Sequence, residues 1–343
     1  MAEIKRQTEL DILRLLATLA VIMIHGGLNP LTDNLMIKYM YRGMHAAIVW
    51  CVPVFFMISG RFFLDPERDV SAKKILTVYL PHIIVPFLVW SGVYTAYGVI
   101  SGSYSHLSTF GIIAEFIHGP YHLWFLYSLA GLYLLTPILR KAAADGKTLA
   151  YFLIMFAAVN VVTQYLIYVP KIGGMISDFI ERTGLRAVTG YMGYFMLGYF
   201  LYSKKANMSK KTETAIYVIG ILMLIATIAA ECFISEELRK TDFVKQYMKP
   251  NVILYSAAIY AFFVMKISKI HYSDRTRKVF AVFTECGFGV YCIHAILNGF
   301  VPTPVIKSLP LITSLLRVAC LYALSLALTW LIRKIPFVGK KIT

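Results

Sequence analysis

Apolar residues occur along the chain in long runs, and polar or charged residues separate one run from the next. Windows of about 20 residues, the length that a helix needs to cross the hydrocarbon core of a bilayer, give ten such runs. The pattern therefore predicts an all-α, polytopic membrane protein of about ten transmembrane helices. The predicted spans are 10–28, 43–64, 75–100, 121–139, 150–170, 187–202, 214–233, 251–270, 279–301 and 312–332.

The composition agrees with this interpretation. Of the 343 residues, 58% are hydrophobic and only 15% are charged, whereas globular domains usually contain about 25% charged residues. The mean hydropathy is +0.66. No long polar segment is left over, so we expect residues 1–343 to form a single integral membrane domain with no appended soluble domain. The five cysteines lie scattered in apolar stretches without ligand spacing, which predicts neither a disulfide framework nor a metal site.

The first apolar run is predicted to remain in the protein as a helix. It carries Asp11, Arg14 and His25, and no small-residue cleavage pattern follows it, so it does not resemble a secretory signal peptide.

The net charge of the chain is +16, and its Lys and Arg residues are divided unequally between the two sides of the membrane. If the N-terminus is cytoplasmic, the inner segments hold 21 Lys and Arg and the outer segments hold 10. The positive-inside rule then predicts that both termini are cytoplasmic. This distribution argues against nucleic acid as a partner and leaves the lipid bilayer as the expected surroundings.

One group of polar residues is predicted near the cytoplasmic face. Lys and Arg at helix ends often only extend to the interface. The alternative is an anion site for a phosphate-bearing donor, since converging cations suit phosphate groups. The group comprises Asp11, Arg14, Ser59, Gly60, Arg61, Lys73, Lys74 and His82.

A second polar group is predicted near the outer face, where histidines dominate. Each could be an interfacial residue bonded to a neighbour. The functional alternative is general-base chemistry, because a carboxylate such as Glu115 beside an imidazole raises its basicity and fixes its tautomer. The group comprises His25, His45, Glu115, His118, His122, Trp124 and His294.

Arg14 and His25 connect the two groups. They are eleven positions apart, so on one straight helix they share a face and lie about 16 Å apart along the axis. Asn29-Pro30 is expected to end this span just after His25. A helix C-terminus favours a protonated histidine, which suits a base that must accept a proton.

Five segments together resemble the type 3 membrane acyltransferase family in order and spacing. The most specific element is an arginine followed, after ten residues, by a histidine, which Arg14 and His25 match. The segments are ELDILRLLATLAVIMIH, VPVFFMISGRFFL, YHLWFLYSLAGLYLLTPIL, GYMGYFMLGYFL and GFGVYCIHAIL.

The resemblance implies an acyl-CoA-dependent O-acyltransferase. Members commonly move acetyl from cytoplasmic acetyl-CoA to hydroxyls of cell-envelope glycans, which implies a multi-pass protein of a bacterial cytoplasmic (inner) membrane. It makes His25 the catalytic base and Arg14 a residue of the donor end. Many members carry two arginines where Lys73 and Lys74 stand here, and lysine lacks the planar guanidinium fork.

The expected mechanism places the phosphates of acetyl-CoA among Arg14, Ser59, Arg61, Lys73 and Lys74. His25 then deprotonates the acyl acceptor while Glu115 or a histidine orients its ring. The expected acceptor-binding residues are His118, His122, Trp124 and His294. A transient acyl-histidine is the alternative to direct transfer.

Two other functional classes fit a protein with these features. A transporter or permease for a small polar solute would use the intramembrane charges for passage, but no matched pair of broken helices is visible. A sensor domain would bind the ligand and tolerate loss of the basicity of His25. Thiol release from acetyl-CoA distinguishes both from the enzyme.

Overall fold

The computed structural model describes residues 6–27, 34–234, 243–301 and 310–343, apart from the side chains at 186, 187 and 310. Within these ranges the regular structure is helical and contains no strand. The helices are α1 Thr8–Gly26, α2 Leu35–Ile48, α3 Cys51–Phe63, α4 Ala72–Lys74, α5 Pro81–Ile100, α6 Thr109–His118, α7 Trp124–Ala144, α8 Gly146–Gln164, α9 Gly173–Arg182, α10 Tyr191–Lys204, α11 Lys210–Phe233, α12 Pro250–Met265, α13 Asp274–Asn298, α14 Pro310–Arg333 and α15 Gly339–Ile342.

Eight helical stretches of the described residues are long and apolar enough to cross a membrane. They correspond to all the predicted spans except the first and the sixth, which coincide with α1 and α10. Helix α1 carries Glu9, Asp11 and Arg14 among its 19 residues, and α10 has only 14 residues. An all-α polytopic membrane protein is thereby confirmed, while the cytoplasmic placement of both termini stays a prediction. Asn29 and Pro30, expected to end the first span, lie outside the described residues.

The second predicted span was wrong in its start and its continuity. The helical stretch begins at Leu35, where the side chain of Asn34 accepts a hydrogen bond from the amide of Ile37, and it is divided between α2 and α3. Pro53 lies in the first turn of α3, and its ring would clash with the carbonyl of residue 49 in a continuous helix. His45, expected at the start of a span, therefore lies in the last turn of α2.

The chain forms two compact units, to both of which α1 contributes. The first unit is drawn from Met1–Ile24, Leu28–Asp69 and Ile138–Ala281, and the second from His25–Gly27, Val70–Pro137 and Val282–Thr343.

In the first unit, α3 and α10 pack so closely that their backbones nearly touch. A Cβ atom on Gly60 would lie 1.8 Å from the carbonyl oxygen of Phe195, and one on Gly198 would lie 2.1 Å from that of Met57. Glycine at both positions is what permits this crossing, as is common between membrane helices. The crossing fixes the C-terminal half of α3, which carries Arg61.

In the second unit, side-chain bonds tie α5 to three other elements. The indole nitrogen of Trp90 donates to the carbonyl oxygen of Ile342 in α15 at 2.8 Å, and the hydroxyl of Ser91 donates to that of Phe116 in α6. The Tyr94 hydroxyl donates to the carbonyl oxygen of Cys292 and accepts from the amide of Ile296, both in α13. These bonds fix the segment of α13 that carries His294.

Candidate active site

His25 lies in the last turn of α1 and faces a cluster of aromatic and histidine rings in the second unit. Its ring centroid is 5.4 Å from that of His294 on α13 and 5.2 Å from that of Tyr121. His122 lies beside Tyr121 in the short 3₁₀ segment Tyr121–Leu123, with its ring 5.1 Å from that of His294. We call His25, His122 and His294 the histidine cluster.

Backbone carbonyls select the tautomers of two of these histidines. Nδ1 of His294 lies 2.7 Å from the carbonyl oxygen of Tyr291, so it carries a proton and donates. Nε2 of His122 lies 3.4 Å from the carbonyl oxygen of Cys292 and is placed to donate there. The other nitrogens, Nε2 of His294 and Nδ1 of His122, are buried and have no hydrogen-bond partner among the described residues. The cluster thus presents two buried lone pairs.

The histidine cluster is buried on one side and open on the other. His294 is 0% exposed and His122 is 2% exposed, whereas His25 is half-buried and the adjacent Tyr121 is 65% exposed. A substrate can therefore approach His25 from the side of Tyr121. In the part of the chain that the structure describes, no group of three or more His, Cys, Asp or Glu side chains is arranged to hold a metal ion. This includes the three histidines of the cluster.

The end of α1 is held by side chains that the sequence analysis did not single out. The side-chain amide of Asn298 donates to the main-chain carbonyl oxygen of His25 at 3.1 Å. Arg317 donates in turn to the side-chain and main-chain oxygens of Asn298, both at 3.1 Å. A Cβ atom on Gly26 would lie 2.8 Å from Leu321 and 3.0 Å from the Asn298 side chain. One available signal was Arg317, an intramembrane cation, which by default is a candidate functional residue.

A tyrosine hydroxyl contacts the backbone of α13 beside His294. The hydroxyl of Tyr94 donates to the carbonyl oxygen of Cys292 at 2.9 Å and accepts from the amide of Ile296 at 2.8 Å. These two bonds hold the turn of α13 that carries His294 against α5. The Tyr94 hydroxyl also adds a second bond to the Cys292 carbonyl, which His122 contacts.

The structure brings His122 and His294 to His25 but gives Glu115 a different partner. Glu115 lies on α6 and accepts its side-chain hydrogen bond from the Tyr104 hydroxyl at 3.4 Å; within the described residues it makes none with a histidine. Burial and the Glu115 charge raise the pKa of Tyr104, which keeps this phenol a donor. His118 is exposed at the end of α6. Trp124 opens α7 and contacts the ring of Phe125.

His45 lies elsewhere, in the first unit. It lines a cavity of about 320 Å³ together with Gln164, Tyr191, Lys245 and Gln246.

Three guanidinium groups of the first unit gather around one phenylalanine. The Cζ atoms of Arg14, Arg61 and Arg68 lie 5.1, 5.7 and 4.7 Å from the ring centroid of Phe62. We call these four residues the arginine cluster. Arg61 also lies over the ring of Tyr202, at 3.4 Å. Guanidinium groups stack on aromatic rings while their edges stay available for hydrogen bonds.

Two carboxylates orient these guanidinium groups. Asp11 lies 3.2 Å from Arg14 and 2.6 Å from Arg6, and Asp65 lies 2.5 Å from Arg61. The i, i+3 pair of Asp11 and Arg14 was visible in the sequence. It keeps Arg14 extended toward Phe62 instead of leaving it to rotate freely.

The turn after α3 brings Arg68 back to Phe62, and Arg140 holds that turn. Arg140 donates to the carbonyl oxygens of Phe63, Asp65 and Arg68 at 2.8, 2.7 and 3.0 Å. Arg68 is not among the residues predicted for the donor end, because no local pattern indicates that Arg140, 72 positions away, holds this turn.

The remaining residues expected at the donor end are Ser59, Lys73 and Lys74. Ser59 is half-buried in α3, next to Gly60. Lys73 and Lys74 form the short helix α4, which belongs to the second unit; Lys73 is exposed and Lys74 is half-buried. Their role in donor binding stays a prediction.

A comparison with protein families identifies the chain. The family model described as an acyltransferase domain matches residues 7–334, which is nearly the whole chain, and confirms the family resemblance of the sequence. No curated protein and no solved structure matches it. The match includes the segments that carry both the histidine cluster and the arginine cluster. The chain therefore belongs to the type 3 acyltransferase family, and it is a multi-pass membrane acyltransferase.

Proposed function

We propose that this protein is an O-acetyltransferase of a bacterial cytoplasmic membrane. It moves an acetyl group from cytoplasmic acetyl-CoA to a hydroxyl of an extracytoplasmic glycan or lipid-linked saccharide, with His25 as the general base. The observation that carries the proposal is that one helix bears a residue of each cluster. Arg14, in the arginine cluster, and His25, in the histidine cluster, both belong to α1 and are eleven positions apart.

The arginine cluster supports the donor end of this proposal. Acetyl-CoA carries several phosphate groups, and guanidinium forks bind phosphate oxygens in pairs through charge-assisted hydrogen bonds. Phe62 holds the planes of Arg14, Arg61 and Arg68 in place, so less side-chain freedom is lost when the phosphates bind. This set has the planar chemistry that Lys73 and Lys74 lack. Arg68 is therefore added to the predicted donor-binding residues.

The histidine cluster supports the chemical step. His25 removes the proton of the acyl acceptor's hydroxyl as its oxygen attacks the thioester carbonyl. When the tetrahedral intermediate collapses, the C–S bond breaks and the imidazolium of His25 returns the proton to the leaving sulfur. The products are the O-acetyl ester and the free thiol of coenzyme A. General-base help of this kind contributes typically about 10²- to 10⁴-fold in rate.

Tyr121 and His122 lie where they can receive the acyl acceptor. The Tyr121 ring meets His25 edge-on and is largely exposed, which is the position that an entering hydroxyl group must pass. Nδ1 of His122 is buried, so it accepts a hydrogen bond from a second hydroxyl of the acceptor only once a movement of the surrounding rings exposes it. A saccharide offers such neighbouring hydroxyls.

The test is release of free thiol from acetyl-CoA by the purified protein in nanodiscs. We expect slow acceptor-independent release by the wild type, loss of release in His25→Ala, and a raised KM for acetyl-CoA in Arg14→Ala. His106→Ala is the matched control, since it removes an exposed histidine to which no role is assigned. No release by well-folded wild type, or equal release by wild type and His25→Ala, contradicts the proposal.

A further inference from the structure

We propose that His294 is the positioning residue of the catalytic base: its Nε2 accepts a hydrogen bond from a ring N–H of His25 and so fixes the tautomer and orientation of His25. The inference rests on the proposed function, in which His25 is the base. It assigns to His294 the orienting role that the sequence left between Glu115 and a histidine.

The first step is that His294 can only accept at Nε2. Its Nδ1 proton is committed to the carbonyl oxygen of Tyr291 at 2.7 Å, so the neutral ring has its lone pair on Nε2. That atom is buried and has no partner among the described residues. Because an unsatisfied buried polar atom is costly, a donor is expected to occupy this lone pair in the working enzyme.

The second step is to ask which neighbour can supply the proton. The rings facing His294 are those of His25, His122 and Tyr291. The Tyr291 hydroxyl already donates to the carbonyl oxygen of His122, and the His122 donor is placed toward Cys292. His25 makes no side-chain hydrogen bond within the described residues, and its ring is half-buried. It is the donor that remains.

The distance fits such a bond. A nearly linear N–H···N contact of about 2.9 Å, with each nitrogen slightly more than 1 Å from its ring centre, separates the two centroids by about 5 Å. The centroids of His25 and His294 are 5.4 Å apart, and the ring planes differ by 34°. A rotation of the His25 side chain, with its backbone held by Asn298, is enough to direct an N–H at Nε2 of His294.

This bond would give the two ring nitrogens of His25 different roles. One N–H points to His294, so the other nitrogen must present its lone pair to the acyl acceptor's hydroxyl. When His25 takes the proton, the bond to His294 becomes charge-assisted and stronger. The proton then passes to the leaving sulfur, so His294 keeps its protonation state throughout. A base oriented by a third group is the arrangement that activated nucleophiles generally require.

Two substitutions separate the two nitrogens of His294. His294→Gln places an amide oxygen near the position of Nε2 and preserves the hydrogen-bond acceptor. His294→Asn places an amide N–H near the position of Nδ1, which preserves the bond to Tyr291 but removes the acceptor. We expect the kcat of thiol release in His294→Asn to fall by about 10- to 100-fold, that of His294→Gln to stay within about tenfold, and the KM for acetyl-CoA to be unchanged in both.

Equal losses in the two variants, or full activity of His294→Asn, would overturn the inference, since His294 would then serve packing or the Tyr291 bond. His25→Ala is measured beside them: if it keeps wild-type release, the proposed function fails, and if it alone is inactive, only this inference fails. Should either variant aggregate, ¹⁵N-histidine NMR of the wild type in nanodiscs decides. A nitrogen–nitrogen coupling across a hydrogen bond between His25 and His294 is expected, and its absence contradicts the inference.

Discussion

Asn298 donates its side-chain amide to the main-chain carbonyl oxygen of His25 at 3.1 Å. The carbonyls at the end of a helix lack partners within it, so this bond fixes the last turn of α1 from the side of α13. Arg317 fixes Asn298 in its turn. The position of the proposed base is thus set by its backbone, and the proposed bond to His294 sets the orientation of its ring.

Asn298→Asp is predicted to lower turnover without weakening acetyl-CoA binding. The substitution keeps oxygens for Arg317 but replaces the donor with a carboxylate that repels the His25 carbonyl. Loss of this bond costs about 1–3 kcal/mol of free energy. Part of this cost is expected to raise the activation free energy of the reaction, because His25 must be aligned in the transition state. A kcat near the wild-type value together with a raised KM would contradict this role for Asn298.

Gly26→Ala is predicted to destabilise the protein. The added methyl group would meet Leu321 at 2.8 Å and the Asn298 oxygen at 3.0 Å. Overpacking of this kind typically costs about 1–3 kcal/mol. Thermal unfolding in detergent measures the effect, with Gly131→Ala as the control, because a Cβ there meets nothing within 4 Å. If both variants melt alike, the close approach at Gly26 does not restrict this position.

Single substitutions of Arg14, Arg61 and Arg68 by alanine are predicted to raise the KM for acetyl-CoA more than they lower kcat. Each loses one charge-assisted contact to phosphate, which is worth about 10- to 100-fold in affinity. Lysine at the same positions should restore only part of the loss, since it binds phosphate as a point charge. An unchanged KM in all three alanine variants would place the donor elsewhere.

Tyr94→Phe is predicted to lower turnover about tenfold and to lower the melting temperature. Without the hydroxyl, the bonds to the Cys292 carbonyl and the Ile296 amide are lost, so α5 no longer holds the backbone beside His294 in place. The kcat of thiol release and the melting temperature are both measured. Tyr97→Phe on the same helix is the control, because Tyr97 is 40% exposed. Wild-type turnover in Tyr94→Phe would show that the bonds from Tyr94 to α13 have no part in the reaction.

The sequence predicted the helices well and the side-chain partners only in part. Long apolar runs determine that a segment is helical in a membrane, whatever packs against it. Hydropathy also assigns depth, which is why His122 and His294 were grouped with His25 before their contacts were known. The depth of a residue in the membrane does not say in which direction its side chain points around the helix axis. For this reason Glu115 is predicted to lie near His25, whereas in the structure its side chain accepts a hydrogen bond from Tyr104.

The arginine cluster illustrates what depends on distant contacts. Arg14 and Arg61 were expected at the donor end from their positions near helix ends. Arg68 joins them only because Arg140 holds the turn after α3 by three backbone carbonyls. The break between α2 and α3 could be predicted locally from Pro53, because a proline inside a helix disrupts the turn before it.

The measurement that tests the central claim most directly is transfer of radiolabelled acetyl from acetyl-CoA in proteoliposomes, comparing wild type, His25→Ala and His25→Gln. The account predicts transfer to added saccharide acceptor by the wild type. It predicts a loss of at least about 100-fold in both variants, with acetyl-CoA binding retained, because binding belongs to the arginine cluster. Transfer by His25→Gln at the wild-type rate would contradict the assignment of His25 as the base.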